Sequence, residues 1–255
     1  MSSRFINALR SAPRPIIMEI KRRSGDGQDL IGSRTVPEIV SAYEAAGAPC
    51  LSVVTGRWFG GSDALLREVA ALTRLPLLKK DFITKQQQIA QARDAGASAV
   101  LLTARILPRS LLQNLIEACL REQITPFVEI AGADELSGLR LAGCVVAVNN
   151  KDILSRERGA AVLDRSSGLL PAILASGAAY PASASGIADP KVAAQLLDAG
   201  FRALLIGTGL LVSGDIEAWL ADVDRYRVTR QAMGGVSESR RALPKFSEAV
   251  SHSAN

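Results

Sequence analysis

Eight short apolar runs recur along this chain, and each ends on a polar or glycine-bearing signature. In order, the endings are Glu19-Ile20-Lys21, Thr55, Lys80-Asp81-Phe82, Thr103, Glu129, Asn149-Asn150-Lys151, Ser185-Gly186 and Gly207-Thr208-Gly209. Runs this apolar suit strands of a parallel sheet whose faces are covered by helices. The predicted strands are 15–21, 50–54, 75–82, 99–103, 126–130, 145–149, 178–185 and 203–207. Helical periodicity lies between them, for example over 35–46, 63–72, 85–95, 111–122 and 190–199. Gly47, Gly96 and Gly200 follow three of these segments at C-cap positions. Strand and helix alternate throughout, and 255 residues match the size of one (β/α)8 barrel, about 250. In that fold, side chains at the C-terminal ends of the strands form the active site.

The barrel is expected over residues 1–224. From about Arg225 the periodicity fades, and Gly234, Gly235, Pro244 and many Ser and Ala residues predict a flexible tail over 225–255. No uninterrupted apolar run approaches the roughly 18 residues of a membrane span. Met1-Ser2-Ser3-Arg4-Phe5 has no signal-peptide core. Cys50, Cys119 and Cys144 lie in or beside apolar segments without CxxC spacing, as buried reduced thiols do. The expected compartment is the cytoplasm.

The formal net charge is +5, but Arg and Lys are scattered and form no stripe interleaved with aromatics. This argues against nucleic acid and for a small anionic substrate near the strand ends. The only histidine is His252, close to the C-terminus. Acid–base chemistry in the barrel therefore falls to Lys and carboxylates, and a His-based zinc site or Ser-His-Asp triad is excluded there.

Residues two apart in a strand point to one side, so Glu19 and Lys21 both face the barrel interior at its upper rim. Buried charge is expensive unless it is paired or used. By the same rule one of Lys79 and Lys80 points inward and the other outward. A lysine crowded by other cations is a usable general acid. Glu129 and Asn149 end two further apolar strands and suit holding hydroxyl or carboxylate groups. Ser185-Gly186 and Gly207-Thr208 end the last two strands, where barrel enzymes commonly bind phosphate through loop backbone N–H groups. Ser24 adds a hydroxyl from the first loop.

Taken together, these motifs resemble the indole-3-glycerol phosphate synthase family. The resemblance spans residues 15–220 and rests on an ordered set: Glu19-Ile20-Lys21-Arg22-Arg23-Ser24, Leu51-Ser52-Val53-Val54-Thr55, Phe59-Gly60-Gly61-Ser62, Lys80-Asp81-Phe82-Ile83, Val128-Glu129-Ile130, Val148-Asn149-Asn150-Lys151-Asp152 and Ser185-Gly186-Ile187. It implies a carboxy-lyase of tryptophan biosynthesis. Such an enzyme cyclises 1-(2-carboxyphenylamino)-1-deoxyribulose 5-phosphate to indole-3-glycerol phosphate, releasing carbon dioxide and water, with no cofactor or metal. It further implies Lys80 as general acid and Lys21 as partner of the substrate carboxylate. Glu129 would serve the acid–base steps, and Glu19 and Asn149 would assist dehydration. Ser24, Lys151, Ser185, Gly186, Gly207 and Thr208 would hold substrate and its phosphate.

The chain departs from the family pattern around the substrate. Ala184 stands where Glu is usual, and Lys151 where Arg is common. Ser24-Gly25-Asp26-Gly27 lacks the usual proline, and the loop after Thr55 is one residue short. Family members carry a longer N-terminal extension, whose extra helix helps close the site; here residues 2–12 remain. Two alternatives stay open: a paralogue acting on a different phosphorylated ketose-derived substrate, and a non-catalytic phosphate-binding relative. Monomer and homodimer are both open.

Overall fold

A computed structural model describes residues 3–151 and 161–233, with side chains through residue 228. Eight parallel strands close a barrel in sequence order. They are β1 (Ile16–Ile20), β2 (Leu51–Val54), β3 (Leu77–Lys80), β4 (Ala99–Thr103), β5 (Thr125–Ile130), β6 (Val145–Asn149), β7 (Tyr180–Ala184) and β8 (Ala203–Ile206). β8 closes on β1 through the pairs Ile16 with Leu204 and Met18 with Ile206. Each sequence-predicted strand overlaps one of these, and β5 begins one residue earlier than expected, at Thr125. Several expected ends lie beyond the hydrogen-bonded ladder and are loop residues of the barrel mouth.

Helices cover the outside: α1 (Arg4–Ser11), α2 (Val36–Ala45), α3 (Asp63–Leu72), α4 (Gln86–Asp94), α5 (Arg109–Arg121), α6 (Asp164–Ala175), α7 (Pro190–Ala199), α8 (Thr208–Val212) and α9 (Ile216–Met233). Their starts are chemically encoded. Thr35 and Glu38 form a reciprocal capping box on α2, and Ser62 caps α3. Asp189 caps α7 with Pro190 following, and Gly200 ends it at φ 117°, a conformation that side chains resist. Periodicity did not reveal α6, whose first turns carry Ser166, Ser167 and Gly168 and which has Pro171 inside. α9 continues past Asp224 to Met233. Residues 225–233 of the expected tail are therefore helical; its remainder, with His252, lies outside the described residues, as does Asp152.

The two faces of every strand have separate partners. Outward residues such as Met18, Val53, Val100, Val128, Val148 and Ile206 pack with the helices in one large core. Inward residues Ile17, Leu78, Leu101, Phe127, Val145, Ala182 and Leu205 form a second core inside the barrel. That inner core also takes Phe5, Ile6 and Leu9 of α1. Phe5 meets Phe127 edge-on with ring centroids 6.4 Å apart, and Thr125 Oγ1 donates to Ser3 Oγ at 2.7 Å. The short N-terminal helix therefore plugs the end where the strands begin. It lies opposite the strand ends that carry the polar signatures.

Candidate active site

Glu19 is the pivot of the mouth. Its Oε1 lies 3.6 Å from Lys21 Nζ and its Oε2 lies 3.4 Å from Lys80 Nζ. Ser52 Oγ donates to the same Oε2 at 3.4 Å. All four residues are buried, so the carboxylate stands between two lysines in a low-dielectric setting. Lys21 Nζ also sits 5.4 Å above the Phe59 ring. The backbone of Glu19 is fixed from outside, where the Tyr43 hydroxyl donates to its carbonyl at 3.1 Å.

Strand parity separates the two adjacent lysines. Lys80 shares the inward face with Leu78 and reaches Glu19. Lys79 points outward and pairs with Asp63 at the start of α3, with Asp81 at 3.9 Å. Asp81 in turn accepts from Thr55 Oγ1 at 2.7 Å and from the Phe82 amide at 2.9 Å. The outward lysine thus anchors the strand end from which Lys80 projects.

A cavity of about 320 Å³ opens beside Glu19, Lys21 and Lys80. Its far wall is Lys151, Ser185, Gly186, Ile187, Gly207 and Thr208. Three lysines against one carboxylate give this lining a positive balance suited to an anion. A Cβ at Gly207 would lie 2.5 Å from Glu19 Oε1, so any larger residue there would displace the Glu19 carboxylate. A smaller apolar recess formed by Val54, Trp58, Phe59, Phe82 and Leu101 adjoins it through the shared Lys21 and Lys80. Trp58 and Phe82 meet edge-on there at 5.2 Å.

Of the sequence-predicted residues, Glu19, Lys21, Lys80, Lys151, Ser185, Gly186, Gly207 and Thr208 line the cavity. Glu129 and Asn149 are buried at inward positions of β5 and β6, in step with Phe127 and Ala147. Asn149 Oδ1 accepts the Lys151 amide at 2.9 Å. Ser24 is outside the cavity lining; its Oγ accepts the Gln28 amide at 3.0 Å within the first loop.

Sequence reasoning passed over two polar residues. Ser52 is one; a serine at an inward position of an apolar strand was its available signal. Asn150 is the other. It is fully buried, and its Nδ2 contacts Ser183 Oγ at 3.1 Å, the Ala184 carbonyl at 2.9 Å and the Ser185 carbonyl at 3.2 Å. Its Oδ1 accepts from Ser166 Oγ at 2.8 Å, and Ser166 lies 2.7 Å from Ser183. This block braces Ser185, which holds a strained φ of 67° at the cavity edge.

The fold and this mouth define a (β/α)8 barrel with a lysine–carboxylate cluster facing a lysine- and glycine-lined wall. A family model for indole-3-glycerol phosphate synthase matches residues 2–223, and the chain belongs to that family. It is 34% identical over 218 residues to indole-3-glycerol phosphate synthase of Mycolicibacterium smegmatis, covering 85% of this chain and 78% of the relative. It is 38% identical over 149 residues to the Pyrococcus furiosus protein of that name, covering 57% of this chain and 65% of the relative. It is 33% identical over 175 residues to tryptophan biosynthesis protein TrpCD of Archaeoglobus fulgidus, covering 67% of this chain but 32% of that longer protein. 3-Hexulose-6-phosphate synthase from Salmonella typhimurium superposes with a TM-score of 0.63 at 14% identity, over 84% of this chain and 99% of that one. At that identity the likeness concerns the fold alone. No described helix is long and apolar enough to cross a membrane.

Proposed function

We propose that the chain cyclises 1-(2-carboxyphenylamino)-1-deoxyribulose 5-phosphate to indole-3-glycerol phosphate, with loss of carbon dioxide and water. The observation that carries this reading is Glu19 held between Lys21 and Lys80 beside the lysine- and glycine-lined wall. The phosphate anchors on backbone and side-chain groups of Ser185, Gly186, Gly207 and Thr208, with Lys151 at the rim. Ser24 contributes a hydroxyl if the first loop moves inward over the ligand. Anchoring the far end brings the aryl carbon against the ketose carbonyl and converts a loose encounter into an oriented one.

Lys21 pairs with the aryl carboxylate and polarises the carbonyl. Lys80 protonates the carbonyl oxygen as the aryl carbon attacks, which leaves a hydroxyl on the new ring carbon. Loss of carbon dioxide returns the electron pair to the ring. The hydroxyl then departs as water while the neighbouring nitrogen supplies electrons and the ring loses a proton. Glu129 serves these proton transfers, and Glu19 and Asn149 assist the dehydration. The aromatic ring lies against the apolar side chains of Trp58, Phe59 and Phe82, which move apart to admit it. We place this activity in the cytoplasm, where the buried thiols of Cys50, Cys119 and Cys144 stay reduced.

Indole fluorescence on incubation with the substrate tests the reading, with Lys80→Ala as control. Turnover lost in the control is the expected result. A well-folded wild type that binds inorganic phosphate but shows no turnover overturns it. That result favours the second reading, a different phosphorylated ketose adduct. Ala184 motivates the second reading: it is fully buried at the inward end of β7 and brings no carboxylate to the site.

A further inference from the structure

Two buried polar atoms at the mouth have no hydrogen-bond partner among the described residues: Thr103 Oγ1 and Asn149 Nδ2. Thr103 is 3% exposed and Asn149 2% exposed. Both face the barrel interior, since Thr103 follows the inward Ala99 and Leu101 on β4, and Asn149 follows Val145 and Ala147 on β6. Between them lies β5, with Glu129 directly in register with Thr103. Strand neighbours in register stand about 4.8 Å apart. Glu129 pairs with Ala147, which puts Asn149 one inward step nearer the mouth. The Asn149 amide is oriented by its Oδ1, which accepts the Lys151 amide, so the Nδ2 edge is the one left to serve the interior.

A buried polar atom without a partner is expensive, and native proteins keep such atoms where function uses them. The three groups define a complementary ligand. Asn149 Nδ2 donates, Thr103 Oγ1 donates, and a Glu129 carboxylate accepts. One hydroxyl oxygen satisfies all three, with two lone pairs toward Asn149 and Thr103 and its hydrogen toward Glu129. We propose that Thr103, together with Asn149, binds a hydroxyl group beside Glu129, and that Thr103 is a specificity-determining residue of the site. The hydroxyl belongs either to the polyhydroxy chain of the substrate or to an ordered water. This inference rests on the proposed reaction, because it assigns the hydroxyl to the same reacting centre.

The test uses the full chain, with Thr103→Val, which keeps the shape and removes the hydroxyl, and Thr103→Ser, which keeps the hydroxyl. Thr103→Val is expected to raise the thermal midpoint by about 2–4 °C, because an unsatisfied hydroxyl is replaced by a methyl. It is also expected to lower kcat/KM about tenfold, the worth of one hydrogen bond toward a polar ligand. Thr103→Ser is expected to stay within about threefold of wild type. A loss carried by KM assigns the hydroxyl to the substrate, and a loss confined to kcat assigns it to a water; both support the inference. A lowered midpoint for Thr103→Val, or unchanged kcat and KM, overturns it. Wild-type turnover with an indifferent Thr103→Val sinks only this inference, whereas a wild type without turnover sinks the reaction and this inference together.

Discussion

At the start of the strands, the inward positions are Ile17, Leu78, Phe127 and Val145, sealed by Phe5, Ile6 and Leu9. Two residues further along the same strands, the inward positions are Glu19, Lys80, Glu129 and Ala147, with Asn149 next in line on β6. A single step of roughly 7 Å separates a dry plug from a charged mouth. The strands supply rigidity by packing at one end, and at the other they hold charges and unsatisfied groups that packing alone would reject. Apolar packing and buried charge are thus divided along the strand axis, each using the same inward parity.

The sharpest way to break that division is Lys80→Ala. It should lower turnover by about 10²–10⁴-fold, the usual worth of a general acid, while the urea midpoint stays near wild type. A collapse of the midpoint instead would make Lys80 part of the frame. The reciprocal substitution is Phe5→Ala. It should destabilise by about 3–5 kcal/mol in urea unfolding while kcat per folded molecule is unchanged. If kcat fell with it, the plug and the mouth would not be separate.

Asn150→Ala probes the border between the two regions. Removing its amide takes one donor from Ser183 Oγ and from the carbonyls of Ala184 and Ser185, and an acceptor from Ser166, which should lower stability by about 1–3 kcal/mol. It should also raise KM more than it lowers kcat, because the braced loop lines the cavity proposed to hold the phosphate. The smallest effect concerns the thiols. Burial pushes the thiols of Cys50, Cys119 and Cys144 up from the ordinary 9.0, Cys144 to about 12. The fold favours the neutral thiol, so this stabilisation is complete below pH 9 and is lost as the pH rises toward the folded values. Urea midpoints should therefore decline above about pH 9. A thiol reagent should modify none of the three in the native protein at neutral pH and all three once it is unfolded.

Much of this was legible in the sequence because parallel strands write their burial as uninterrupted apolar runs, and their polar ends mark the mouth. Parity put Glu19 and Lys21 on one side and split Lys79 from Lys80, but it did not say which of the two lysines faces the interior; the inward Leu78 decides that in the structure. The plug was not legible. Residues 4–11 have helical spacing of Phe5, Ile6 and Leu9, but nothing in that spacing says which end of a barrel they close. Asn150 was hidden beside Asn149, since two identical side chains in sequence take opposite faces with unrelated tasks. The helix α6 was masked by Ser166 and Ser167; Ser166 faces the Asn150 block, so its polarity is a buried network and not a loop.

The first helix also has a consequence for how the chain is made. α1 leaves the ribosome before any strand exists, yet the partner of Ser3 on β5 lies 122 positions downstream. Its inner-core neighbour Tyr180 on β7 follows later still. Phe5, Ile6 and Leu9 must wait as an unburied face until synthesis has passed most of the barrel. Docking of α1 is then a late, long-range step of the kind that slows folding. A fusion placed ahead of Ser3 would emerge at the floor of the molecule, opposite the entrance to the cavity.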